Sequence, residues 1–339
     1  MDLLELQMKI IPDVLKVMQE RYRVLYQVSL LQPIGRRSLA QSLGITERVA
    51  RAEVEFLKDR GLIEISAEGM KLSNEGNQVI QQLLPIIKEI SKINDLEQRL
   101  QKKLAISKVF IVSGDSDENV FVKKEIGRVA GQILLQLVKD NEVVALTGGS
   151  TVSEVAKMIP TDIQLPSVLY VPARGGIGEK HEYLANTIVS TMARKTNSSY
   201  RLLHSPDQMS NESYDSLIAE SSVQDLLKVI RSSGILLLGI GDAKKMAERR
   251  NSSKEVMKLL TEKNAVGEAL GNYFSKDGEI VYKIKTIGLK IEDLKSIPIT
   301  IAVAGGKSKA DAILSVLKNN FKQILVTDEG AAKEILSKI

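Results

Sequence analysis

The sequence predicts an α/β protein built from two dissimilar parts. One is an N-terminal winged helix-turn-helix, and the other a C-terminal doubly wound parallel α/β domain. Three observations predict this. Two helical segments meet at Gly44 and are followed by two short alternating runs. From about residue 105, apolar strand-like runs alternate with helical patterns, the order that builds a parallel sheet covered on both faces. Glycine-rich turns fall just after several of those runs.

In chain order, residues 10–31 place Val14, Leu15, Val17, Met18, Tyr22, Val24, Leu25, Val28 and Leu31 at helical spacing and stop before Pro33. Helices over 37–43 and 46–60 follow, with Gly61 as a stop. Leu39, Leu43, Val49, Val54 and Leu57 read as their core. Leu62-Ile63-Glu64-Ile65, a turn at Ala67-Glu68-Gly69 and Met70-Lys71-Leu72 then read as a β-hairpin. Pro85 suits the first turn of a further helix. Leu83, Ile86, Ile90, Ile93, Leu100 and Leu104 make a heptad seam there, broken at Glu97. The seam fits either a paired helix or an ordinary amphipathic one. The expected domains are therefore 1–80, a linker or dimerisation helix over 81–104, and 105–339.

In the third part the strand-like runs are Val109–Ser113, Val143–Thr147, Val168–Pro172, Tyr200–Ser205, Ile235–Gly239, Ile299–Ala304 and Ile324–Thr327. Ligands of such sheets bind outside the carboxyl ends of the strands. No internal repeat or low-complexity tract is visible.

Composition narrows the function classes. With 339 residues, 43% of them apolar, the chain has material for two or three real cores. It has no cysteine, which excludes disulfides and thiolate metal sites and points to a reducing, cytoplasmic setting. Only His181 and His204 are present, so a histidine-rich metal site is not expected. No apolar run matches a membrane span, and Met1-Asp2-Leu3-Leu4-Glu5 lacks the basic start of a secretory leader. The net charge of +5 is no nucleic-acid signal by itself, because residues 1–100 carry 14 basic and 14 acidic side chains.

The basic footprint is local. Gly44 permits a sharp turn, and Thr46 suits the N-cap of the second helix. Glu47, Arg48 and Arg51 then lie on its exposed N-terminal face. Arginine there can grip guanine through two hydrogen bonds, while Arg36 and Arg37 on the preceding helix suit phosphates. A solvated arginine face in a protein-binding winged helix is the alternative.

Anion-binding features gather in the second half. Leu146-Thr147-Gly148-Gly149-Ser150-Thr151 follows a strand and opens a helix, so Gly148, Gly149, Ser150 and Thr151 offer amides and hydroxyls to a phosphate. Pro172-Ala173-Arg174-Gly175-Gly176, Gly239-Ile240-Gly241-Asp242 with Arg249 and Arg250, and Ala304-Gly305-Gly306-Lys307-Ser308-Lys309 follow other strands. Their cations converge on one sheet edge and suit an acidic, phosphorylated ligand. Glu268 could accept from sugar hydroxyls, or be an exposed loop carboxylate. The Gly239–Asp242 stretch resembles one in glucosamine-6-phosphate deaminases. There it leads to Gly-His and Asn-Glu pairs, whereas here it runs on as Ala243-Lys244-Lys245-Met246. A sugar site without catalytic equipment suits sensing rather than turnover, so no enzyme activity and no cofactor are expected.

Taken together, these motifs, with Gln32-Pro33-Ile34-Gly35-Arg36-Arg37-Ser38-Leu39 and Ser42-Leu43-Gly44-Ile45, resemble the SorC family of bacterial sugar-responsive regulators over nearly the whole chain. The resemblance implies a transcriptional repressor of a glycolytic operon with fructose-1,6-bisphosphate as inducer. It further implies a C-terminal domain related to sugar-phosphate isomerases and a dimer or tetramer on operator DNA. By the same resemblance, Gly148 to Thr151 hold one phosphate. Arg174, Arg249 or Arg250, and Lys309 hold the other, and Glu268 contacts the sugar. Ser150 stands where a second threonine would be expected, and it keeps the hydroxyl. The alternatives are a SorC-type regulator of another sugar, or a sugar-phosphate isomerase or lactonase with a DNA-binding module.

Overall fold

The computed structural model describes residues 3–176, 180–206, 209–319 and 323–339. Met1 and Asp2 of the leader reading lie outside them. The chain divides into two compact units, Met1–Asp95 and Leu96–Ile339.

In the first unit α1 (Leu3–Ile10), α2 (Pro12–Leu31), α3 (Arg36–Leu43) and α4 (Glu47–Asp59) precede the hairpin β1 (Ile63–Ser66) and β2 (Gly69–Leu72). Gly44 ends α3 at φ 67°, a left-handed conformation that glycine adopts without a Cβ penalty. Thr46 Oγ1 accepts from Val49 N at 3.4 Å and opens α4 two residues later. The hairpin turns over Ala67-Glu68, and Ile34 adds a third rung through paired backbone bonds to Met70 at 2.8 and 3.1 Å. Leu25, Val28, Leu39, Val54, Leu57, Ile63 and Met70 are buried together as the core. Val49 is not among them. It is 43% exposed, because Ala50, Val54 and Leu57 supply the inward stripe of α4.

The expected linker helix is two helices. α5 (Asn74–Ile90) starts from the Ser73 N-cap, so Pro85 lies inside it rather than in a first turn. Lys92, at φ 55°, separates it from α6 (Ile93–Leu104). The helix therefore has no continuous heptad seam. Ile87, Ile93, Leu96 and Leu100 are buried, while Ile86 is exposed. Glu97 breaks the apolar series because its carboxylate accepts from Ile111 N at 2.8 Å.

The second unit contains, in order, β3 (Lys108–Val112), α7 (Val120–Leu137), β4 (Val143–Leu146), α8 (Ser150–Met158), β5 (Leu169–Pro172), α9 (Ala185–Lys195) and β6 (Ser199–Tyr200). These are followed by α10 (Asn211–Ala219), α11 (Ser221–Arg231), β7 (Ile235–Gly239), β8 (Gly241–Asp242), α12 (Ala243–Arg249) and α13 (Lys254–Glu262). The chain ends with β9 (Ala265–Ala269), β10 (Asn272–Ser275), β11 (Ile280–Lys283), β12 (Ile299–Val303), α14 (Ala310–Leu317), β13 (Gln323–Asp328) and α15 (Glu329–Leu336). Among the described residues, seven strands form a parallel sheet in the order β3-β13-β12-β7-β4-β5-β6. The Tyr200–Ser205 run is strand only at Ser199–Tyr200, and residues 201–206 leave the sheet. Val144, Leu146, Tyr170, Leu237, Ile301 and Val326 fill the layer between sheet and helices.

Strand order reverses between β4 and β7. From β4 the chain steps outward to β5 and β6, then returns to β7 and steps the other way through β12 and β13. A reversal of this kind leaves a crevice at the carboxyl ends of the two central strands. A smaller antiparallel sheet, β11-β10-β9-β8, begins immediately after β7 and forms one side of that crevice.

Candidate effector site and DNA-reading surface

Thr147 holds the crevice floor together. Its amide donates to Leu237 O at 3.0 Å, and its Oγ1 accepts from Gly239 N at 2.8 Å, tying β4 to β7. Gly148 and Gly149 follow, and α8 starts at Ser150. The first amides of a helix have no partner inside it, and with the helix dipole they favour an anion. Gly149 is an exception to the expectation of free amides here, since its N–H already donates to Tyr183 O at 2.9 Å. Tyr183 belongs to the short turn His181–Tyr183, which leads into α9. His181 therefore sits in a single 3₁₀ turn.

The crevice is lined by Thr147, Gly148, Gly149, Arg174, Gly175, Gly176, Tyr183, Met246, Arg250 and Glu268, among others. Cations fall into two groups, of which Arg174 and Arg250 line this crevice. In the first, Arg250 Nη2 donates to Glu268 Oε1 at 3.1 Å, and Arg174 Nη1 lies 3.5 Å from the same oxygen. Glu268 is therefore no exposed loop residue. It lies on β9, is buried, and also accepts from Gly271 N at 2.8 Å. Burial, and then the neighbouring Arg250 charge, lower the pKa of Arg174 to about 10, against the opposing pull of Glu268. Burial acts downward on Arg250 too, but Glu268 and Tyr273 outweigh it and hold the guanidinium above its usual range.

The second group comprises Lys123 and Lys309 with the neighbours of Lys309. Lys123, from α7, reaches Ser150 Oγ at 3.5 Å. Lys309 precedes α14 and is pushed down to about 8, chiefly by burial and then by Lys123, Arg249 and Lys245. Lys309 and Arg249 therefore neighbour one another, while Arg250 joins Arg174. Arg249 is exposed, with its Nη1 3.8 Å from Met246 Sδ. Thr151 is buried in the first turn of α8. Lys123 and Lys245 were not singled out from the sequence. Lys123 lies on α7, which the glycine-turn signal does not reach, and Lys245 lies in the segment after β8 that was read only for its missing histidine.

In the first unit Arg48 and Arg51 are exposed on α4. Arg51 Nε lies 3.5 Å from Glu55, and Arg37 Nε donates to Glu47 at 3.0 Å, linking α3 to α4 across the turn. Arg36 and Arg37 open α3, and Thr46 and Glu47 open α4.

Comparison with known proteins places both halves. Residues 17–87 match the family described as "CggR N-terminal DNA binding domain", and residues 88–337 match "Putative sugar-binding domain". A Priestia megaterium protein named central glycolytic genes regulator is 49% identical over 335 residues, 98% of each chain. Its Bacillus subtilis namesake is 46% identical over 334 residues, again 98% of each.

The chain belongs to the central glycolytic genes regulator family.

A crystal structure described as a "putative SorC family transcriptional regulator" from Enterococcus faecalis matches 71% of this chain and 99% of its own, with TM-score 0.67 and 40% identity. The central glycolytic genes regulator family is thus a SorC-type family, with a DNA-binding first unit and a sugar-binding second. Its relatives are transcriptional regulators rather than enzymes. As a member, the chain is a sugar-responsive transcriptional regulator. Among the described residues no helix is long and apolar enough to cross a membrane.

Proposed function

We propose that the protein is a cytoplasmic repressor of glycolytic genes whose operator binding is relieved, or made less cooperative, by fructose-1,6-bisphosphate. One observation carries the reading. A carboxylate-buffered arginine pair, Arg174 and Arg250, lines the crevice at the β4–β7 reversal, and a second cationic centre lies at the start of α8, where Lys123 meets Ser150 and is an electrostatic neighbour of Lys309. A bisphosphate matches them with two anions on one short sugar. In this reading Gly148, Gly149, Ser150 and Thr151, with Lys309 and Arg249, take one phosphoryl group. Arg174 and Arg250 take the other, and Glu268 faces the sugar hydroxyls. Two separated cationic centres favour two phosphates over one.

On the DNA side, Arg48 and Arg51 reach base edges in the major groove, and Arg36 and Arg37 hold phosphates, with Thr46 and Glu47 fixing the start of the reading helix. The protein acts as a homo-oligomer, a dimer or tetramer, because paired reading helices match paired half-sites. Effector and operator are linked by a coupling free energy of roughly 1–3 kcal/mol, about 5- to 150-fold in affinity.

A thermal-shift titration of the full chain tests the effector. Fructose-1,6-bisphosphate, fructose-6-phosphate, glucose-6-phosphate and fructose are compared. A saturable shift largest for the bisphosphate is expected, since a ligand at 100 times its Kd adds about 2.7 kcal/mol. An equal shift with a monophosphate would instead assign a different phosphosugar. Turnover of any of these sugars would replace the regulator reading of the site with an enzymatic one.

A further inference from the structure

We infer that Lys123 is a phosphate-binding residue of this site, brought in from helix α7 to meet the phosphoryl group together with Ser150 and Lys309. This rests on the reading above that the Ser150 turn receives a phosphate, and adds a ligand from outside the strand-end loops. Lys123 Nζ lies 3.5 Å from Ser150 Oγ, so an anion seated on that hydroxyl and the first amides of α8 is within the reach of the ammonium.

The surroundings give Lys123 no other employment. Its neighbours on α7 are engaged elsewhere. Lys124 Nζ lies over the Phe121 ring at 5.1 Å, and Glu125 is paired with Arg128 at 2.7 Å. The acid facing the cluster is Asp117, whose carboxylate already accepts from Ser308 N at 2.7 Å and Ser308 Oγ at 3.0 Å. Among the described residues Lys123, Lys245, Arg249 and Lys309 form no ion pair. Four cations facing the single Asp117 carboxylate leave a net positive charge, and an entering dianion relieves their repulsion.

The position of Lys123 is set by packing. One turn further along α7, a Cβ on Gly127 would come within 2.7 Å of the Glu154 backbone carbon, so α7 and α8 cross in close contact there. The crossing holds the lysine beside the start of α8. Asp117 opposes, and Lys123, Lys245 and Arg249 reinforce, the depression of the Lys309 pKa.

The test uses the full chain and isothermal titration calorimetry with inorganic phosphate, fructose-6-phosphate and fructose-1,6-bisphosphate. Lys123→Met should weaken all three by about tenfold, the effect of one charge-assisted hydrogen bond. Lys123→Arg should stay within about twofold of the parent protein. In Lys123→Met the alkaline loss of affinity should also move to higher pH, because Lys309 loses a like-charged neighbour. A merely structural lysine would move none of these together. Should Lys123→Met fail to fold, Lys123→Gln takes its place. Unchanged phosphate affinity in Lys123→Met, with weakening in Lys309→Met, would overturn the role of Lys123 alone. Unchanged affinity in both would overturn the phosphate site itself.

Discussion

The Arg250 guanidinium donates to the Glu268 carboxylate across 3.1 Å, and that carboxylate oxygen also takes Gly271 N. One oxygen therefore neutralises a buried arginine and closes the β9–β10 turn. Arg174 leans on it as well, at 3.5 Å. Removing the carboxylate leaves two guanidinium groups facing each other in a low-dielectric pocket. Glu268→Ala should cost about 3–5 kcal/mol of stability, the usual effect of orphaning buried charge. Glu268→Gln, which keeps an acceptor for Gly271 N, should cost less. Urea denaturation measures both. Added inorganic phosphate should recover part of the loss in Glu268→Ala by supplying the missing anion. If Glu268→Ala melted like the parent protein, the arginines would be satisfied without Glu268.

Lys309 gives a proton-linked prediction. Its folded pKa of about 8 lies below the ordinary lysine value of 10.5. Between those values the unfolded chain holds a proton that the folded protein lacks. Stability of the empty protein should therefore rise as pH increases through that window. A bound dianion opposes the depression by placing negative charge beside the ammonium, so ligand binding near pH 8 should take up protons. Calorimetry in two buffers of different ionisation enthalpy reads this directly. The apparent binding enthalpy should differ between the buffers at pH 8. Identical enthalpies at pH 8 would mean that Lys309 does not titrate with the ligand.

Much of this was legible because single residues dominate the local energetics. Gly44 and Thr46 fix the turn and cap before α4, and the strand ends at Leu146, Pro172, Gly239 and Val303 announce the glycine turns after them. The sheet β11-β10-β9-β8 was not legible. Its strands are short, and Glu268 and Asn272 are buried by hydrogen bonding rather than by hydrophobic alternation. The fracture of the linker helix at Lys92 was also hidden, because neither Ser91 nor Lys92 is a breaker by type. Lys123 escaped since its partner, Ser150, is 27 positions away on another helix.

Val49 tests the corrected face of α4. The sequence reading put it in the core, yet it is 43% exposed, whereas Val54 on the same helix is 0% exposed. Val49→Ala should change stability by less than about 0.5 kcal/mol, as exposed substitutions do. Val54→Ala should cost roughly 2 kcal/mol through lost burial and the cavity left behind. Chemical denaturation of the two variants separates the cases, and a Val49 cost equal to that of Val54 would return Val49 to the core.

The Arg37–Glu47 pair makes the last prediction, on the DNA side. Both side chains are exposed, so their 3.0 Å contact is worth only about 0.2–1 kcal/mol to the fold. Its consequence lies instead in binding, because Glu47 holds in check a cation assigned to a DNA phosphate. Glu47→Ala should leave the melting temperature nearly unchanged and release Arg37. Affinity for duplex DNA at low salt should then increase. The slope of log affinity against log salt should steepen by about 0.9, the effect of one further phosphate contact. Arg37→Ala should move both quantities the opposite way. Arg48→Ala should behave differently, costing about 1–3 kcal/mol and relaxing preference at one base position while leaving the salt slope nearly intact. Fluorescence anisotropy on a selected high-affinity duplex and on a scrambled one distinguishes them. If Arg48→Ala weakened both duplexes equally, Arg48 would be a phosphate contact and the base reading would pass to Arg51.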